Sequence, residues 1–185
     1  MTANPTGNGT DRKPIIASYQ PDHTVDAEMD RQLRSLLSAC FTAPEHARFR
    51  KQRFFYTPYP HRWLLKMEDG QLVGHAGIHD RILRCESEEF PCAGIADVCV
   101  HPDVQGRGLL RRLLADIHAW LRGRSIPFAV LFGDEPIYRS SGYRPVQLRL
   151  EHPPAVGSQP VRAMAISLNS IAWPSNPTTL SGGFF

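Results

Sequence analysis

Apolar residues recur along the chain with two periods, and the switches between them mark the expected elements. Met29, Leu33, Leu36, Leu37 and Cys40 are spaced by three and four, so residues 26–41 are predicted as a helix with one buried face. Pro44 suits a first helical position, which predicts a second helix over residues 45–55, ended by Pro58 and Pro60. The pattern then turns to strands. Residues 62–68 and 71–85 flank Asp69-Gly70, a strong hairpin signal. A charged turn at 86–89 leads into a strand over 90–100, rich in small and β-branched residues, which His101-Pro102 stops. Leu109, Leu110, Leu113, Leu114, Ile117, Trp120 and Leu121 then form the clearest helical stripe, within residues 106–122, with Arg111, Arg112, Asp116 and Arg122 on the other face. Residues 127–132 read as a short buried strand. A short helix over 135–141 closes at Gly142, a suitable residue to follow a helix end. Strands are predicted over 143–150 and 161–168, separated by a proline-rich loop at 151–160. Residues 1–13 read as a disordered lead, and 169–185 as an irregular tail carrying Trp173, Phe184 and Phe185.

The sum is a mixed α/β fold of about seven strands and four helices. Its expected organisation is a lead (1–14), one domain (15–151), and a closing segment (152–185) that packs on that domain. A length of 185 residues, 42% hydrophobic and 21% charged, fits one domain with a real core and excludes collagen-like, coiled-coil and wholly disordered chains. No stretch approaches the roughly 18 apolar residues of a membrane span, and residues 1–14 lack the apolar segment of a secretion signal. The expectation is a cytoplasmic protein with no membrane partner. Cys85, Cys92 and Cys99 recur every seven residues, but no CxxC pair accompanies them, so they and Cys40 are read as buried free thiols and no metal is expected.

The net charge of +3 is too small to indicate nucleic acid, but its position changes the picture. Residues 101–124 hold five arginines against two aspartates, while the rest of the chain carries 16 basic and 16 acidic residues. The whole excess therefore surrounds Val104-Gln105-Gly106-Arg107-Gly108-Leu109, at a predicted strand-to-helix junction. Two glycines let the backbone turn tightly and expose successive amides, and the helix start adds unpaired N–H groups and its positive dipole end. Such a junction can cradle a phosphate or pyrophosphate. Alternatively, the glycines only shape a turn and the arginines only solvate a helix face. The junction is neither GxGxxG, since Arg111 takes the third position, nor a Walker loop, since no GK[ST] follows.

The run from Asp97 to Leu114 closely resembles motif A of the GCN5-related N-acetyltransferases (GNAT). In that family a strand ending V-x-V-x-P, here Val98 to Pro102, leads to Q/R-x-x-G-x-G/A and a helix. The chain departs at Leu110, where the family has Gly or Ala; the enhanced-intracellular-survival branch, which shares the G-L-L-R run, tolerates this. Glu135 to Tyr143 resembles the family's later motif, a Tyr on a short helix before Gly-Phe/Tyr and a strand. The likeness covers roughly residues 15–150. Trp173-Pro174 and the closing Phe184-Phe185 are more loosely similar to the aminoglycoside N-acetyltransferase and nodulation acyltransferase branches, whose tails reach the acceptor pocket.

The resemblance implies the GNAT fold, acetyl-CoA as cosubstrate, and direct transfer to a primary amine of a small molecule such as an amino sugar or antibiotic. Two further readings stand beside it: transfer of a longer acyl chain, and a non-catalytic CoA-binding or partner module. It implies that backbone at Val98, Cys99 and Val100 pairs with pantetheine and polarises the thioester. It implies that the pyrophosphate is held at Gln105, Gly106, Arg107, Gly108, Leu109, Leu110 and Arg111, with Arg112 a further candidate. Tyr138 matches the family's acid for the leaving thiolate. Asp97 is the first candidate for the proton acceptor, or else a strand-end cap or a partner for arginine; His75, His79, His101 and Asp80 follow it. Cys99 reads as a core-facing strand residue rather than a nucleophile. Phe54, Phe55, Tyr56, Tyr59 and Trp63 either line the acceptor pocket or belong to the core. Homodimers are common in the family, so a homodimer is a further expectation.

Overall fold

The structure is a computed structural model that describes residues 14–151, 159–175 and 177–185. The expected disordered lead and most of the proline-rich loop lie outside the described residues.

One eight-stranded mixed sheet organises the chain, in the order β1-β2-β3-β4-β5-β7-β6-β8. The strands are β1 (Ile15–Pro21), β2 (His61–Met67), β3 (Leu72–Cys85), β4 (Glu88–Val100), β5 (Phe128–Leu131), β6 (Arg144–Leu150), β7 (Gln159–Ser167) and β8 (Thr178–Leu180). The hairpin forms as expected: Gly70 sits at φ +85° and its amide bonds the Met67 carbonyl between β2 and β3. Among the described residues only β4–β5 and β6–β8 pair in parallel. The β4–β5 crossover is carried by α2 (Leu109–Gly123), which lies over the sheet. Its stripe buries Leu109, Leu113, Leu114, Ile117 and Leu121 against Ala76, Ile78, Ala93, Ile95, Ala129 and Leu131. Each such side chain contributes on the order of 1.5–3 kcal/mol. His118, on the same face, is buried and bonds the Tyr143 hydroxyl at 3.0 Å, so that polar residue too joins the core with a partner.

The first helix, α1 (Ala27–Cys40), starts where Asp26 accepts a bond from the Met29 amide (2.8 Å). It seats Leu33, Leu36 and Leu37 on Leu64, Leu72 and Cys99. The second predicted helix is shorter and tighter than expected: a 3-10 turn at Pro44–Arg50. Beyond it, the carbonyls of Arg53, Phe54 and Phe55 are satisfied by side chains. Arg48 donates to Phe55 O (2.7 Å), Gln52 to Phe54 O (2.8 Å) and the Tyr59 hydroxyl to Arg53 O (2.6 Å). Arg53 also chelates Asp22 and reaches Asp30 (3.1 Å), which ties this loop to the end of β1 and to α1. The segment is thus held extended over the sheet.

Two strands escape the sequence pattern. β1 completes the β2 edge, and β8 lies in the tail expected to be irregular. β8 pairs with the far ends of both β3 and β6, so β3, β4, β5, β7, β6 and β8 form a closed ring at that end. The rest of the tail is thereby carried back over the sheet. Phe185 ends buried, its ring 4.8 Å from Phe132 and 5.5 Å from His79. No helix among the described residues is long and apolar enough to cross a membrane.

Candidate functional site

The site is built on a break in β4. Its pairing with β5 runs from Cys92–Phe128 to Ile95–Leu131 and stops. Its pairing with β3 continues, but with a shift: Ala96 faces Gly77, Cys99 faces His75 and Val100 faces Gly74. Asp97 and Val98 thus share the space opposite one residue, a β-bulge, with Asp97 at φ +49°. Beyond Ile95, β4 diverges from β5 and leaves its backbone unpaired on that side.

The strained turn at Asp97 is pinned at two points. The Phe55 amide donates to its carboxylate (3.0 Å), and His75 Nδ1 donates to its carbonyl (3.0 Å), since a carbonyl only accepts. Burial lowers His75 to about 3, so the ring is neutral. Its Nε2 lies 3.2 Å from the Tyr59 hydroxyl, which in turn holds Arg53 O. Arg62, fully buried, lies 5.1 Å over the Tyr59 ring and pairs with Asp22. Burial also lifts the Asp97 carboxyl to about 6, against the pull of the Phe55 amide. A carboxylate poised near neutrality, at a strand break, can take a proton at working pH.

Two cavities open on either side of this break. One, of about 400 Å³, is lined by Cys40, Phe41, Val98, Cys99, Val100, Gln105, Gly106, Gly108, Leu109, Leu110, Ile137 and Tyr138. At its far end Gly106 and Gly108 both lie at φ +72°, which only glycine adopts without strain, and so keep the loop out of the helix. The helix therefore begins at Leu109, three residues later than the pattern predicts, with the amides of Leu109, Leu110 and Arg111 free of helical acceptors. No acidic residue occupies its first turn. Gln105 Nε2 braces the loop on Val100 O (2.9 Å).

The second cavity, of about 320 Å³, is walled by Phe41, Phe49, Phe55, Tyr56, Phe132, Tyr138, Phe184 and Phe185, with His46, and has Asp97 at its base. Phe41, Val98 and Tyr138 line both cavities, so these residues mark where the two meet. Tyr138 ends the short helix α3 (Glu135–Tyr138), and burial raises its hydroxyl to about 12. Its ring fits only because residue 133 is glycine: a Cβ there would lie 2.4 Å from the ring. Gly133→Ala is therefore expected to displace Tyr138 and lower turnover at least tenfold, with a fall in stability of about 1–3 kcal/mol from overpacking. Thermal melts and steady-state rates measure both; unchanged turnover would show that the ring's position does not matter.

The structure gathers Asp97, Val98, Cys99, Val100, Gln105, Gly106, Gly108, Leu109, Leu110 and Tyr138 around these two spaces. The predicted arginines fare differently. Arg107 and Arg111 stand exposed beside the loop, and Arg107 bonds Asp103 O (3.4 Å). Arg112 lines a groove beside β1, Arg122 donates to Leu168 O (2.8 Å), and Arg124 covers the Trp120 ring at 4.9 Å. The helical repeat spreads the charge excess around α2 instead of gathering it at one end.

The other proton-acceptor candidates lie elsewhere. His79 is buried and lowered to about 4, His101 accepts from the Asp103 amide (3.3 Å), and Asp80 pairs with His61 (3.2 Å). The hydrogen bond to Cys40, together with burial, raises the Cys99 thiol well above its ordinary value. Cys40 itself is only half-buried, which corrects its reading as a core thiol. The early aromatics divide: Phe55 and Tyr56 face the second cavity, Tyr59 is core, and Trp63 lies 6.4 Å from Tyr19 on the β1 side. Phe41, His46, Gly133 and the Tyr59–His75 pair had no local signal; only their meeting across the fold reveals them.

A sequence profile for an acetyltransferase (GNAT) domain matches residues 22–146. Among solved structures, Escherichia coli YhbS, a GNAT family N-acetyltransferase in complex with CoA, is similar at TM-score 0.65 and 17% identity, over 91% of this chain and 89% of that one. A GNAT family acetyltransferase from Brucella melitensis, in complex with acetyl-CoA, is similar at TM-score 0.58 and 17% identity, over 88% and 94%. The ribosomal-protein-S18-alanine N-acetyltransferase of Escherichia coli is similar at 0.54 and 17%, over 86% and 98%. None of the curated proteins matches the sequence.

Proposed function

Because the chain belongs to the GNAT acetyltransferase family, we propose that it transfers the acetyl group of acetyl-CoA to a primary amine of a small molecule by direct attack. The observation that carries this reading is the meeting of two cavities at Val98 and Tyr138, beside the unpaired backbone of β4. The CoA and acetyl-CoA bound to the Escherichia coli and Brucella relatives support the same cosubstrate here.

Acetyl-CoA supplies an activated acyl group on a thiol leaving group. The residues fit it by chemistry. The amides of Gly106 to Arg111, at a helix start with no acidic residue in its first turn, are donors for a pyrophosphate. Between Val98 and Val100 the backbone groups that β4 turns away from β3 have no strand partner; they offer strand-like bonds to pantetheine amides and a donor to the carbonyl oxygen as it gains negative charge. Leu110 fills a position where the family keeps Gly or Ala, and its side chain lines the cofactor cavity. Asp97, at the base of the second cavity, takes the proton that the amine loses as nitrogen bonds to carbon. As the carbon–sulfur bond breaks, Tyr138 gives the departing thiolate its proton.

Saturating acetyl-CoA is expected to stabilise the protein. At a hundred times Kd the gain is about 2.7 kcal/mol, which raises Tm by roughly 5–10 °C at this size. A melting scan with and without acetyl-CoA tests this, and an unchanged Tm removes the cosubstrate assignment. Release of free CoA thiol over a panel of amines then tests the transfer itself.

A further inference from the structure

The second cavity carries more than a place for an amine. Its walls are rings: Phe132 lies 5.1 Å from Phe184 at 61° and 4.8 Å from Phe185, and Phe55 meets Tyr56 edge-on at 4.7 Å. At the rim Tyr56 and Phe184 stack at 5.8 Å and 27° while remaining 50% and 36% exposed. Two large rings left in water at a cavity mouth leave apolar surface for a ligand to cover. Asp97 is the one carboxylate in the lining. His46, the other ionisable ring there apart from the tyrosines, packs edge-on against Phe41 and Phe55 at 5.4 and 5.3 Å.

We infer that the acceptor is a monoamine carried on a flat, ring-bearing apolar body, which slots against Tyr56, Phe132 and Phe184 with its nitrogen at Asp97. This inference rests on the acetyl-transfer reading and names the substrate class for the same site. Ring faces bind a planar apolar group by area and by offset or edge contacts beyond simple burial. They also attract the ammonium as it enters; it loses its first proton to solvent and attacks as the free amine, so Asp97 takes only the proton lost as nitrogen bonds to carbon. One carboxylate satisfies one ammonium. A polyamine would bring further charges with no counter-ion in the lining, and an amino sugar would bring hydroxyls with few partners, each a cost to bury unpaired. The polar hollow lined by Asp134, Glu135, Gln147 and Arg162 shares no lining residue with this cavity and does not include Val98, so it offers those groups no help. Two of the decisive rings, Phe184 and Phe185, come from the tail beyond β8, so the closing segment sets acceptor choice while the motif residues serve the cosubstrate.

The test compares 2-phenylethylamine, hexylamine, glucosamine and spermidine as acceptors with saturating acetyl-CoA, reading thiol release and product mass. The aromatic amine should exceed glucosamine and spermidine in kcat/KM by roughly 100-fold, as a site lacking partners for their polar groups demands, with hexylamine between. Phe184→Ala should cut kcat/KM for 2-phenylethylamine about tenfold, through KM, and leave KM for acetyl-CoA within about twofold. Phe184 is partly exposed, so the variant should fold, which a melting scan verifies. Glucosamine or spermidine matching or exceeding the aromatic amine overturns the inference, as does a Phe184→Ala enzyme with unchanged KM for it. Calorimetric binding of 2-phenylethylamine to the CoA-loaded protein separates the two levels. Binding that Phe184→Ala weakens, without thiol release from any amine, upholds the ligand class and removes acetyl transfer. Neither binding nor turnover of the aromatic amine overturns the inference.

Discussion

Asp97→Asn is expected to lower kcat/KM by about 10²–10⁴-fold and, at the same time, to make the protein more stable at neutral pH. Both effects follow from one burial. The carboxyl belongs to the β4 bulge and lines the aromatic cavity, and burial there lifts it from its ordinary value to about 6. The folded chain therefore favours the protonated form, and between about pH 4 and 6 it binds more protons than the unfolded chain. Stability falls as pH rises through that window and stays lower above it. Asn cannot ionise and escapes this loss, while its amide oxygen can still accept from the Phe55 amide. At pH 7.5 the gain is on the order of 1–3 kcal/mol, and it vanishes near pH 4. The rate runs the other way. The ionised carboxylate takes the amine proton, so the native kcat/KM falls as pH drops below about 6, and the Asn variant lacks that limb. Melts and pH–rate profiles of both proteins check this pairing. Unchanged turnover would leave Asp97 as a clamp on the Phe55 loop only, and a loss of stability at pH 7.5 would show that the charge itself holds the bulge.

Tyr138→Phe is expected to lower kcat by roughly 10²-fold or more while acetyl-CoA affinity stays within a few-fold. The Phe ring keeps its seat on Gly133 and its edge contact with Tyr143, whose ring centre lies 6.1 Å away at 70°. What is lost is the hydroxyl of a residue that lines both cavities. Because burial raises that hydroxyl to about 12, it stays protonated over the working range and gives no alkaline limb below about pH 11. The deficit should therefore be nearly constant from pH 6 to 9, unlike that of Asp97→Asn. Steady-state rates set beside calorimetric acetyl-CoA binding separate turnover from affinity. A Phe enzyme with native kcat would remove Tyr138 from proton transfer to the thiolate.

The contrast between α2 and the aromatic cavity explains what could be read in advance. A leucine stripe at three-and-four spacing, entered through Gln105-Gly106-Arg107-Gly108, specifies its structure within twenty residues of chain. The motif residues accordingly gather around one cavity, although the helix starts at Leu109 because both glycines adopt positive φ. The aromatic cavity draws Phe41, His46, Phe55, Phe132 and Phe184 from five separate segments. No local period relates them. The β8 strand is similar: Thr178-Thr179-Leu180 is too short to signal itself and is a strand only because β3 and β6 leave edges for it.

The same distinction divides the whole protein. Sequence alone determined the order of elements from β2 to β7, the hairpin, the phosphate-suited loop and the tyrosine after it, since each depends on residues adjacent in the chain. Tertiary structure decided what long-range packing controls. It turned Asp97 into a bulge residue with a raised pKa through His75, Phe55 and burial. It dispersed the arginine excess around α2, whose helical turn separates neighbours in sequence. It brought the final phenylalanines over the site, because a three-residue strand closing the sheet fixes where the tail can go. Local spacing sets which backbone groups can bind a ligand; the desolvation of Asp97 and the ring packing of the second cavity exist only once distant segments meet.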